Sequence, residues 1–340
     1  MKFLKFLANL LAFSAVLLGI AGVGAAGGAV WIASEFERAQ NFDHPVTTTI
    51  KRGSNMRSVA NQLLELGVID DDLDADIFYY AARFTGQANK IKAGEYEIPP
   101  KASMKNILDL LESGKVIQRN VTLREGLTSF EVLRTLSNNA ELTQGDIDLP
   151  AEGSLLPETY SFAKGEGAAD IIARMQTAMT KALDTAWENR AKNLPIQTKE
   201  EARILASIIE KETAVPSERK RVAGVFINRL RKGMLLQTDP TVIYAINGGK
   251  HEDNGKGPLG RRLLRKDLSI DNPYNTYKYA GLPPGPICNP GKDSIEAALN
   301  PEAHDYLYFV ADGTGGHAFG KSLAEHNRNV AKWRKIRKNQ

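Results

Sequence analysis

Three carboxylic acids crowd the stretch "ASIIEKETAVPSE" at residues 206–218: Glu210, Glu212 and Glu218. The first two follow an apolar run, where a carboxylate is costly unless it has a partner or a task. An α-helix turns about 100° per residue, so angles around the axis rank them. Measured from Glu212, Leu205 lies within about 20°, Ile208 at about 40° and Ile209 at about 60° on the other side. Glu212 therefore sits in the middle of the apolar stripe. Glu210 lies about 160° away and reads as a solvated-face residue. Glu218 falls in the first turn of the next helix, where the dipole favours an acid. A carboxyl on a buried face has its pKa raised by desolvation, the state a general acid requires. At this level the alternative is a structural pair with an arginine such as Arg229.

The loops downstream carry groups suited to sugars. "LLQTDPTVIYAI" places Gln237, Thr238 and Asp239 before a proline turn. "NPYNTYKYAGLPPGPICNPG" offers Asn275, Thr276 and Tyr277, and "GGHAFGKSLAEHNRNV" offers His317, His326 and Asn327. Each loop on its own reads equally as turn chemistry. Together they suggest a cleft for a glycan. Nucleic-acid binding is not expected: the net charge is +4 over 340 residues and the basic tail "KWRKIRKN" reads as a solvated helix end. One cysteine, Cys288, excludes an internal disulfide, and five scattered histidines argue against a metal site.

The elements that must position these residues follow from periodicity and caps. Thr198 and Glu201 form a capping-box pattern that opens the helix carrying Glu212, and Pro216 ends or kinks it. A long helix is expected over about 168–192, and another over about 217–232 with Val222, Phe226 and Leu230 on one face. Beyond it, loop and strand are expected until a terminal helix from about 322. Residues 46–100 read as strand, helix, helix, strand, followed by a helix at 103–114. "TIKRGSNMRSVANQL" and "TLREGLTSFEVLRTL" echo each other as one reused supersecondary unit.

At the N-terminus the chain is apolar from Phe6 to Ala33 apart from Asn9, Ser14 and glycines. That exceeds the roughly 20 residues that cross a bilayer. Lys2 and Lys5 precede it and glutamates follow, placing the N-terminus in the cytoplasm and the bulk outside. A cleaved signal peptide is the alternative.

With these pieces in view, the chain resembles the MltG-type (YceG-like) endolytic murein transglycosylases. The resemblance rests on "IKAGEYEIP", "LLESGK", "EGSLLPETY", "ASIIEKETAVPSERKRVAGVFINRL", "GMLLQTDPTVIYAI", "YNTYKYAGLPPGPICNPG" and "YLYFVADGTGGHAFGKSLAEHN". It implies an α+β fold: a transmembrane helix (9–33) after a cytoplasmic tail (1–8), a linker (34–45), a small LysM-like module (46–118) and a larger catalytic domain (119–340). It implies a single-pass enzyme of the bacterial inner membrane, its catalytic domain periplasmic. Such an enzyme cuts the MurNAc-β-1,4-GlcNAc bond inside glycan strands without water, leaving 1,6-anhydro-MurNAc ends. The family's catalytic glutamate falls on Glu212. Substrate contacts are expected from Glu158, Gln237, Thr238, Asp239, Asn275, Tyr277, His317 and Asn327, with no metal or cofactor. Relatives often carry an aromatic residue and Pro-Asp where this chain has "LLPETY"; Glu158 keeps the charge. Peptidoglycan synthases are partners implied by the family.

Overall fold

The computed structural model describes residues 26–251 and 257–338. The expected transmembrane helix therefore lies largely, and the cytoplasmic tail wholly, outside the described residues. Residues 26–37 are helical. Among the described residues no helix is long and apolar enough to cross a membrane. Two compact units follow from the contacts, one up to Arg119 and one from Asn120.

In the first unit, β1 (Val46–Ile50), α1 (Met56–Glu65), α2 (Asp72–Phe84) and β2 (Gly94–Ile98) give the expected strand, helix, helix, strand. The strands pair antiparallel, Val46 opposite Ile98 and Ile50 opposite Gly94. Asn55 and Asp71 cap the two helices through their side chains. α3 (Met104–Ser113) ends at Gly114, whose φ of 72° suits a residue without a Cβ. Val59, Leu63, Phe78, Tyr96, Ile98, Ile107 and Leu111 form the core. The segment entering this unit is tied to it. Arg38 bonds Glu35 at 2.6 Å, Asp70 at 3.0 Å and the buried carboxylate of Asp74 at 2.7 Å.

In the second unit, β3 (Gln118–Thr122), which the boundary crosses, pairs with β4 (Thr159–Ala163). With α4 (Ser129–Ser137) these residues surround a small core that includes Val132, Leu155 and Phe162. The larger core is helical: α5 (Ala168–Glu188), α6 (Lys199–Glu212), α7 (Arg219–Arg231) and α9 (Lys292–Leu299) contribute Met179, Leu205, Ile208, Phe226 and Leu299. α8 (Asp239–Asn247) packs against α6. The antiparallel ribbon β5 (Tyr308–Ala311) and β6 (His317–Gly320) packs against α10 (Leu323–Lys338).

The region beyond residue 232 corrects the expectation of loop and strand, because α8 and α9 are helices. Asp239-Pro240 opens α8, with the proline in the first turn, where its missing N–H leaves no bond unmade. The same dipeptide reads equally well as a turn.

Candidate active site

α6 is cut at both ends by its own sequence. Thr198 accepts from the Glu201 amide while Glu201 bonds back to the cap, completing the capping box. Thr213, in extended conformation, terminates the helix directly after Glu212. Between these ends Ala202 and the run Ile204–Ile209 are buried. Glu212 itself is half-buried, so the residue reaches the surface while its carboxyl is crowded by protein. Burial pushes its pKa up to about 8, the Asp239 carboxylate raises it further and Arg229 opposes both. Among the described residues no donor bonds this carboxyl and no cation lies within ion-pair distance. A glutamic acid in that state is protonated at neutral pH and free to give its proton away.

Asp239 stands at the first turn of α8, exposed, and accepts a 2.6 Å hydrogen bond from the Tyr277 hydroxyl. Burial, and then that bond, raise the Tyr277 hydroxyl above the ordinary phenol range, so it donates. Beneath them lies a set of buried hydroxyls. The Thr238 amide donates to Thr276 Oγ1 at 3.0 Å, and Thr241 donates to the Thr238 carbonyl at 2.8 Å while sharing a 2.8 Å bond with Thr276. Asn275 is fully buried: its amide nitrogen donates to the Leu268 and Ile270 carbonyls and its oxygen accepts from the Tyr277 amide. Thr238 and Asn275 thus hold the loops that present Asp239 and Tyr277. Gln237 is exposed beside them in the left-handed region, with φ of 52°, a conformation that strains a residue bearing a Cβ.

Arg229 does not form the pair with Glu212 considered from the sequence. Its Nε donates to the Leu307 carbonyl at 2.7 Å and its Nη1 to those of Leu236 at 2.6 Å and Leu235 at 3.3 Å. The Tyr308 ring lies 5.3 Å from the guanidinium and stacks against His326 at 5.2 Å. Burial, aided by the Arg229 charge, pushes the His326 pKa down.

The remaining residues fall elsewhere. Glu158 is exposed, ion-paired with Lys292 and part of a groove of about 510 Å³ with Leu156, Ala182 and Glu296, none of which adjoins Glu212. His317 bonds Glu218 twice, through its amide at 3.0 Å and its ring Nδ1 at 2.7 Å. Asn327 is exposed on α10. Glu210 corrects the solvated-face reading: its side chain is 7% exposed, accepts from the Gly291 amide at 3.0 Å and lies 4.0 Å from Arg219. The reason is that α9, contributed from eighty positions onward, covers the far side of α6. Both neighbouring acids thus have structural partners, and among the described residues Glu212 has none. Arg229 adjoins this site, with the Tyr308 ring beside it and His326 stacked on that ring. For Arg229 a signal existed, since it lies seven residues after Val222 and three after Phe226 on the buried stripe. Among the described residues, no group of three His, Cys, Asp or Glu side chains is arranged to hold a metal.

Comparison with known proteins shows which family the chain belongs to. The YceG-like family model matches residues 48–332. The endolytic murein transglycosylase of Bacillus subtilis (strain 168) is 32% identical, over 85% of this chain and 84% of its own length. That of Streptococcus pneumoniae (strain D39) is 30% identical over 84% of this chain, which spans 58% of the pneumococcal protein. A crystal structure of a yceG-like protein from Listeria monocytogenes is 33% identical, with a TM-score of 0.47, over 84% of this chain and 99% of that one. A family match running from β1 into α10, with relatives aligned over most of the chain, places this protein in the YceG-like family.

Proposed function

We propose that the protein is an endolytic lytic transglycosylase of peptidoglycan with Glu212 as its single acid and base. The observation that carries the reading is a carboxyl with no partner among the described residues, its pKa pushed up to about 8, at the surface end of α6 in a chain whose curated relatives are endolytic murein transglycosylases. Glu212 gives its proton to the glycosidic oxygen as the bond from the MurNAc C1 breaks. The MurNAc C6 hydroxyl then closes onto C1 and returns its proton to Glu212. Nothing is consumed, so the two products together have the composition of the substrate. Asp239, held by Tyr277, keeps Glu212 protonated in the resting enzyme and offers negative charge to the oxocarbenium-like centre.

A hydrolase is the second reading, because Asp239 faces Glu212 and a two-carboxylate site activates water. Glu158, engaged with Lys292 in its own groove, suits the base role less well. The apolar N-terminal stretch is proposed as a single membrane span that leaves the units from residue 46 in the periplasm. Residues 46–118 are proposed to be a LysM-like module and 119–340 the catalytic domain. Cell-wall synthases are proposed partners on the family's account. The test is digestion of purified sacculi. Wild type should generate anhydro ends, and Glu212→Gln should lower the rate by about 10²–10⁴-fold while remaining folded. Wild-type activity in the folded variant would remove Glu212 from the chemistry.

A further inference from the structure

α7 turns Val222, Phe226 and Arg229 toward the same interior, and Arg229 is 7% exposed. A guanidinium in such a place is costly unless its donors are met. Here its Nε and Nη1 donors are met by main-chain carbonyls, those of Leu307, Leu235 and Leu236, and among the described residues no carboxylate comes within ion-pair distance. Carbonyl dipoles satisfy these three N–H groups but leave the positive charge in place. A purely structural cross-link between α7 and its neighbours needs no charge, so the retained charge calls for an explanation.

The three carbonyls belong to two segments that matter. Leu235 and Leu236 lead directly into Gln237, Thr238 and Asp239, and Leu307 leads into Tyr308. One side chain therefore holds the turn that presents Asp239 and the strand that presents Tyr308. The charged and titratable groups around Glu212 are Asp239 from α8, Tyr277 from the loop after it and Arg229 from α7; around Arg229 they are Glu212, Tyr277, Tyr308 from β5 and His326 from α10. Arg229 is the cation of this set. His326, disfavoured as a cation by burial and by Arg229, cannot take over that role at neutral pH.

We propose that Arg229 is a positioning residue of the reaction, locked by three main-chain carbonyls so that it fixes the turn presenting Asp239 and supplies the positive charge against which Glu212 becomes a carboxylate on giving up its proton. The idea rests on Glu212 acting as acid and then base. In the resting enzyme Asp239 favours the protonated form; in the intermediate, with the proton on the departed sugar, Arg229 stabilises the anion that must next accept the C6 hydroxyl proton. A fixed charge in a water-poor site does this without reorganising.

The full-length protein, assayed on sacculi across pH, tests the idea with Arg229→Gln and Arg229→Lys. The Gln variant should lose about 10²-fold in kcat, change KM by no more than about threefold, and shift the alkaline limb of the pH profile upward, because Glu212 loses its opposing cation. The Lys variant keeps the charge but not the three-carbonyl fork, so it should recover at least about tenfold over Gln and return the limb toward wild type. Equal losses in both variants with an unmoved limb, tracking only a lower Tm, would mean a merely structural residue. Should the Gln variant not fold, the Lys variant decides alone. A fall of up to about tenfold in kcat at wild-type Tm with the limb in place supports the positioning role, and wild-type kcat, or a loss that only tracks a lowered Tm, overturns it. Glu212→Gln is assayed in parallel, because activity there would sink the acid–base reading itself and not only the role of Arg229.

Discussion

The Tyr277 hydroxyl sits 2.6 Å from Asp239 Oδ1, and the carboxylate it holds is the nearby charge that raises the Glu212 pKa. Tyr277 thus acts on Glu212 at one remove. A hydrogen bond to a charged group is worth about 1.5–3 kcal/mol, so Tyr277→Phe should lower kcat by about 10–100-fold through a less ordered Asp239. Steady-state kinetics on sacculi check it. A change confined to KM would place Tyr277 in substrate binding instead.

Asp239 carries a prediction of sign. Its charge raises the Glu212 pKa, so Asp239→Asn should lower it and move the alkaline limb of the activity profile toward acid. A pH–rate series on both proteins measures the shift. Movement toward alkali would show that Asp239 does not act on Glu212 by charge.

Glu212 destabilises the fold it serves. Its folded pKa lies above the ordinary value of 4.5, so the unfolded chain releases the proton first as pH rises. Stability is therefore lost progressively from about pH 4.5 to about pH 8 and the loss is complete above that. Glu212→Gln removes the penalty. Its Tm should match wild type near pH 4 and exceed it by roughly 5 °C at pH 8. A constant difference at all pH values would contradict the linkage.

Glu210 should behave in the opposite way. It joins α6 to the first turn of α9 through the Gly291 amide and lies beside Arg219. Glu210→Ala should cost about 1–3 kcal/mol in denaturant unfolding and leave kcat on sacculi within about threefold of wild type.

The contrast between these two glutamates shows what was legible in the sequence. The ends of α6 were readable because Thr198, Glu201 and Pro216 act locally, and the angle of Glu212 followed from helix geometry alone. The burial of Glu210 was not, since the helix covering it arrives about eighty positions later and leaves no trace in the α6 pattern. The strand–helix–helix–strand of 46–100 was visible because Val59, Leu63 and Leu66 recur at helical spacing and glycine turns punctuate it, although the cap of its first helix is Asn55 and not Ser54, the neighbouring hydroxyl that suits a cap equally well. α8 and α9 were missed because they are short and lie among Gly, Pro and Asn. In the candidate site, Asp239 and Tyr277 meet as side chains, whereas Thr238 and Asn275 hold loops in place. Polar residues of these types serve both purposes, and only the fold decides which.

The most direct test of the central claim is the mass of the chain ends made in water carrying heavy oxygen. Sacculi digested by wild-type enzyme should yield muramic ends lighter by one water than hydrolysis products and free of label, and Glu212→Gln should yield them about 10²–10⁴-fold more slowly. Ends that carry the heavy oxygen would identify water as the acceptor, and the single-carboxyl account would fail.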